Sequence, residues 1–178
     1  EATEQKIIPN RQLPNIQAGL NARFLLHIRL AGFSQAYAIS REVVVPGNTI
    51  LSKLHDRVLC PAFGWTRGFH EHLFSLPRSA YAENRRPLDA QTDIVFGPVR
   101  SQFSILSQCG FHKVLRDTDM VRVNEANVCI ADLLQHPEHQ LYYVLGASDG
   151  WKHIITLKDV LPCDSEAGVA LADGHGVC

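Results

Sequence analysis

The sequence predicts an α+β fold, a mostly antiparallel sheet packed against one or two helices in a single compact domain. Three observations predict it. The chain has 178 residues, 46% of them hydrophobic and 20% charged, which suits one soluble domain with a sizeable core. Short apolar runs rich in β-branched residues recur along it, each closed by proline or glycine. Their order is two strands, a helix, a strand, then a helix and two strands, which is not the strict alternation of a doubly wound sheet.

Residues 1–21 hold Pro9, Pro14 and Gly19 with little periodicity and read as an extended arm. Residues 23–30 (RFLLHIRL) and 37–45 (YAISREVVV) read as adjacent strands, the second stopped by Pro46-Gly47. Asn48 or Thr49 is a candidate cap for a helix of about three turns, since Ile50, Leu51, Leu54, Val58 and Leu59 recur at helical spacing. Pro61 and Gly64 are expected to end it, and His55 is expected to be a half-exposed surface histidine on it.

Residues 70–76 read as a strand closed by Pro77. Residues 78–110 form a long irregular excursion, or a lid, in which 101–107 is ambiguous between strand and helix. A short strand is expected over 119–123 and a short helix over 127–134, capped by Asn124 or Asn127. Residues 140–145 and 152–157 read as strands joined by a tight turn at Gly146-Ala147-Ser148-Asp149-Gly150. From Pro162 onward the chain reads as loop.

Two stretches carry the chemistry. The first runs Gly64-Trp65-Thr66-Arg67-Gly68-Phe69-His70-Glu71-His72, and the second Asp149-Gly150-Trp151-Lys152-His153. Residues i and i+2 on a strand share a face. His70 then lies with His72, and Asp149 with Trp151 and His153. If the two strands are neighbours, three imidazoles and a carboxylate converge. His70, His72, Asp149 and His153 would suit Zn²⁺ or Fe²⁺, because imidazole supplies neutral donors and the carboxylate offsets charge. Without a metal, His72 or His153, oriented by Asp149, would serve as catalytic acid and base. Trp65 and Trp151 would wall a substrate pocket, with Arg41 as a further substrate contact. Glu71 and Lys152 have the opposite parity and are expected to face solvent.

In order along the chain, Val45-Pro46-Gly47, Thr49-Ile50-Leu51-Ser52-Lys53-Leu54-His55, Gly64-Trp65, His70-Glu71-His72-Leu73-Phe74 and Ser148-Asp149-Gly150-Trp151-Lys152-His153 resemble the blocks of the plasmid pRiA4b ORF-3-like family. The resemblance covers residues 22–178 and implies a compact α+β domain. The family's D-F-G-D block stands here as Gly146-Ala147-Ser148-Asp149, which keeps only the second acid. The resemblance implies a fold more firmly than an activity.

The leading functional expectation is a small enzyme acting on a small organic substrate, of isomerase, cyclase, lyase or hydrolase type. The alternative is a non-catalytic protein- or nucleic-acid-binding module in which the same residues are structural. A net charge of −1 argues against a nucleic-acid partner. No glycine-rich phosphate loop supports a nucleotide cofactor. No apolar run reaches the roughly 20 residues of a membrane span. The five cysteines contain no C-x-x-C pair, which fits reduced thiols and a cytoplasmic setting. Oligomeric state has no signature in the sequence.

Overall fold

The computed structural model describes residues 21–33, 38–68, 71–76, 94–98, 121–146, 150–162 and 170–175. The expected arm, most of the 78–110 excursion, His70 and Asp149 lie outside the described residues. The fold is sheet-dominated α+β. One mixed eight-stranded sheet runs in the order β5-β4-β3-β6-β7-β1-β2-β8. Its strands are β1 (Arg23–Leu30), β2 (Ser40–Pro46), β3 (His72–Ser75), β4 (Ile94–Gly97), β5 (Val121–Asn124), β6 (Gln140–Leu145), β7 (Trp151–Leu161) and β8 (Ala170–His175).

β1 alternates partly buried and buried positions along its whole length, as period-2 patterning requires. It is the inner strand between β2 and β7, antiparallel to both, with Ile28 opposite Arg41 on one side and Ile155 on the other. β6 pairs antiparallel with β7, putting Tyr143 opposite His153, and with β3, putting Tyr143 opposite Phe74. The β4–β5 pair is parallel, which makes the sheet mixed.

Two segments expected to be irregular contain strands. Ile94–Gly97, inside the expected excursion, pairs with β3 and β5. Ala170–His175, inside the expected terminal loop, pairs with β2. Ladder hydrogen bonds to a neighbouring edge satisfy these backbones; Ile94-Val95-Phe96 carries a β-favouring signal over three positions only, and the Ala-, Asp- and Gly-containing run 170–175 carries little.

The helical layer is α1, residues 51–63, built of Leu51–Leu54, a π-helical turn His55–Leu59, and Cys60–Phe63. Its start differs from expectation, because Ile50 is the cap and no side chain caps it. The first N–H groups find backbone partners instead: Leu51 N–H donates to Val128 O at 3.0 Å, beside an Ile50–Cys129 bridge. Pro61 does not end the helix. It has no N–H to offer and follows the π turn, where the hydrogen-bond register has already shifted. Gly64, left-handed at φ 72°, ends it.

Asn124 caps a 3₁₀ turn at Glu125–Asn127, its side chain accepting from Ala126 N–H at 3.0 Å. The next turn, α2 (Ile130–Leu133), starts at Cys129, whose N–H donates to the Asp132 carboxylate at 2.8 Å. α1 packs on one sheet face through Leu51, Leu54, Val58, Leu59 and Phe63 against Leu26, Ile28, Phe74, Tyr143 and Ile155. Among the described residues no helix is long and apolar enough to cross a membrane, and Cys60 and Cys129 are free thiols.

Candidate functional site

The two Trp–His strands are not neighbours. β6 lies between β3 and β7, so His72 and His153 share the α1-facing side but sit two strand spacings apart, roughly 10 Å. Tyr143 on β6 stands between them, its ring 5.9 Å from His72 and 5.2 Å from His153. The expected convergence therefore divides into two environments, one at each histidine.

At His153 every polar atom of the ring is engaged. The imidazole is fully buried. Its Nδ1 lies 3.1 Å from Trp151 O, and because a carbonyl only accepts, Nδ1–H donates. Nε2 is then the acceptor for Trp65 Nε1–H at 3.4 Å. Burial holds this imidazole down to about 4, against the upward pull of its backbone hydrogen bonds, so it is neutral at pH 7. Phe63 meets it edge-on at 4.7 Å.

At His72 the surroundings are different. Nε2 lies 2.8 Å from the Glu125 carboxylate, and both side chains are 7% exposed. A carboxylate only accepts, so Nε2–H donates and Nδ1 is left for other business. Against this ring stacks His55 of α1, centroids 3.6 Å apart and planes 12° from parallel. Burial, then the neighbouring His72, then the Arg67 guanidinium hold His55 down to about 3, so it is neutral. His55 Nδ1 pairs with the Tyr143 hydroxyl at 2.8 Å. Burial pushes that phenol up, so it keeps its proton. The Cys60 thiol lies 3.6 Å from His55 Nε2, and burial and Asp56 push it up as well.

The expectation that His55 is a surface histidine is overturned: it is 4% exposed. The signal was in the sequence. His55 falls on the apolar stripe Leu51, Leu54, His55, Val58, Leu59, at spacings i, i+3, i+4, i+7 and i+8. Glu125 carried no comparable signal, since it sits 53 residues from His72 in a 3₁₀ turn and meets it only in the fold.

Of the other expected site residues, Trp65 and Trp151 do come together, ring centroids 5.7 Å apart and planes at 35°. Arg41 faces α1. Its Nε donates to Ala62 O at 3.0 Å and its guanidinium lies 5.5 Å over the Phe63 ring, which ties β2 to the end of the helix. Glu71 and Lys152 have the parity expected of them but are half-buried rather than solvated. Lys152 Nζ lies 4.4 Å over the Tyr142 ring, and Glu71 Oε2 is buried with no hydrogen-bond partner among the described residues. His70 and Asp149, two of the four expected metal ligands, lie outside those residues. Among the residues described, no group of three or more His, Cys, Asp or Glu side chains is placed to hold a metal ion.

A family model described as plasmid pRiA4b ORF-3-like protein matches residues 22–178. The fold is similar to the crystal structure of MM3350, a protein of unknown function from Methanosarcina mazei Go1. That likeness has a TM-score of 0.59 and 18% sequence identity, and covers 88% of this chain and 71% of the other. No curated protein matches the chain.

Proposed function

The chain belongs to the plasmid pRiA4b ORF-3-like family, and within it we propose a small acid–base enzyme in which His72, oriented by Glu125, moves a proton on a small organic substrate. The observation that carries this is the buried 2.8 Å His72–Glu125 pair. A carboxylate that accepts from one imidazole nitrogen sets the tautomer and leaves the other nitrogen as base or acid. His55, stacked on His72 and held neutral, is a second imidazole within the same cluster, and Tyr143 fixes its orientation. The π turn that starts at His55 places this ring over His72, and such turns recur at functional sites.

A metal-assisted form of the same reading would add His70 and Asp149 to His72 as ligands for Zn²⁺ or Fe²⁺. Stoichiometric metal in purified protein, lost in His72→Gln, is its signature. The cytoplasmic setting belongs to the proposal too, supported by the free thiols of Cys60 and Cys129.

The acid–base reading is tested with small esters, lactones and 2-oxo acids incubated in D₂O and followed by proton NMR. Hydrolysis or deuterium uptake should fall about 100-fold or more in His72→Gln, the scale of general acid–base assistance. Absence of any turnover, with His72→Gln altering thermal stability alone, would sink it.

A second reading is favoured by one observation, the complete engagement of His153 by Trp151 and Trp65. In that reading the chain is a non-catalytic binding module whose buried polar residues hold the sheet and helix in register. The same experiment separates the two.

A further inference from the structure

Trp65 and Trp151 are the chain's two tryptophans. Trp65 is half-buried, anchored by its N–H bond to His153 and by packing on the core. Trp151 is 38% exposed. One indole is thus fixed from below, and the tilted indole beside it is open to solvent.

Arg67 stands two residues beyond Trp65, in a loop turned by Gly64 and Gly68 at φ 72° and 68°. Its side chain is exposed and makes no hydrogen bond or ion pair with the described residues. Its charge nonetheless reaches the buried cluster, where it helps hold down His55 and opposes the rise of the Cys60 thiol. Glu125, the buried carboxylate of that cluster, is already paired with His72. An exposed guanidinium with no hydrogen bond or ion pair among the described residues thus follows Trp65 by two positions, close enough for its charge to act on His55 and Cys60.

We infer that Trp65, Trp151 and Arg67 form the recognition subsite for a planar small molecule bearing a carboxylate, the indoles taking its flat face and the guanidinium its charge. The subsite's place beside a reaction rests on the acid–base reading of His72 and Glu125, whereas binding by itself does not.

Because both tryptophans belong to the subsite, intrinsic fluorescence of the whole chain reports on it directly. Titration with benzoate should quench the emission saturably. Arg67→Gln should weaken benzoate about fivefold, the scale of one exposed charge pair, and bind benzyl alcohol as the unaltered protein does. Trp151→Leu should weaken both probes, and Trp151→Phe should restore them. His72→Gln should bind benzoate unchanged. Benzoate that fails to quench saturably, or that binds Arg67→Gln as tightly as the unaltered protein, overturns the inference. If benzoate binds with the expected Arg67 dependence while His72→Gln leaves turnover intact, the subsite stands and the acid–base reading falls, so the two failures are told apart.

Discussion

Lowering the pH from 8 to 5.5 should destabilise this protein steeply, through two imidazoles buried in the neutral state. His55 is held near 3 and His153 near 4, against 6.5 for an unperturbed histidine. Burial is the first cause in both. The folded pKa is depressed, so the unfolded chain binds more protons everywhere between the two values. Stability is therefore fully present above about 6.5 and is lost as pH falls toward 4. At pH 5.5 each imidazole takes away about 1.4 kcal/mol relative to pH 8, or about 2.8 kcal/mol for the pair. For a domain of this size that is a fall of roughly 6–10 °C in melting temperature. His27, half-buried, is pushed in the same direction and adds to the slope. The assay is urea unfolding followed by circular dichroism at half-unit pH steps, for the unaltered chain and for His55→Asn and His153→Asn. Each variant should lose about half of the pH-dependent difference. A denaturation midpoint that stays flat between pH 8 and 5.5, or a slope that both variants retain, would refute the burial of neutral imidazoles as its source.

Other expectations follow from single contacts. Glu125→Ala leaves His72 buried without its carboxylate and should cost about 3 kcal/mol in urea unfolding, with Glu125→Gln costing less because an acceptor remains; equal costs would mean that the hydrogen bond does not matter. Trp65→Phe removes the indole N–H that donates to His153 Nε2 and should cost about 1–2 kcal/mol, with His153→Phe in the same background recovering part of it. Tyr143→Phe strips His55 Nδ1 of its hydroxyl partner, leaving only the weaker Cys60 thiol among the described residues, at a similar cost of about 1–2 kcal/mol, and imidazole NMR should show the His55 ring resonances shifted while those of His136 stay in place. Gly64→Ala places a Cβ on a left-handed residue with open space around it, so the cost should be backbone strain alone, about 1 kcal/mol in thermal unfolding.

Much of the sheet was legible because strand signals are local. The run 23–30 alternates as its burial does, and the two apolar runs flanking Gly146 and Gly150 pair as an antiparallel hairpin. Ile94–Gly97 and Ala170–His175 were missed because a short strand is made by its neighbour's open edge, and the neighbour is distant in sequence. In the site, the rings of Trp65 and Trp151 lie 5.7 Å apart, whereas His72 and His153, expected on neighbouring strands, are parted by β6.

By itself the sequence determined the positions of β1, β2, β6 and β7, the helix that follows Pro46-Gly47, and which side chains share a face of each strand. These are short-range properties, set by periods of 2 and 3.6 residues and by proline and glycine. Tertiary structure decided the rest. Inserting β6 between β3 and β7 parted His72 from His153 and placed Tyr143 between them. The 3₁₀ turn after β5 brought Glu125 to His72 across 53 residues, and the packing of α1 on the sheet laid His55 over His72. Strand order and cross-chain pairing depend on which arrangement buries the most apolar surface while satisfying every polar group, and no local pattern encodes that choice.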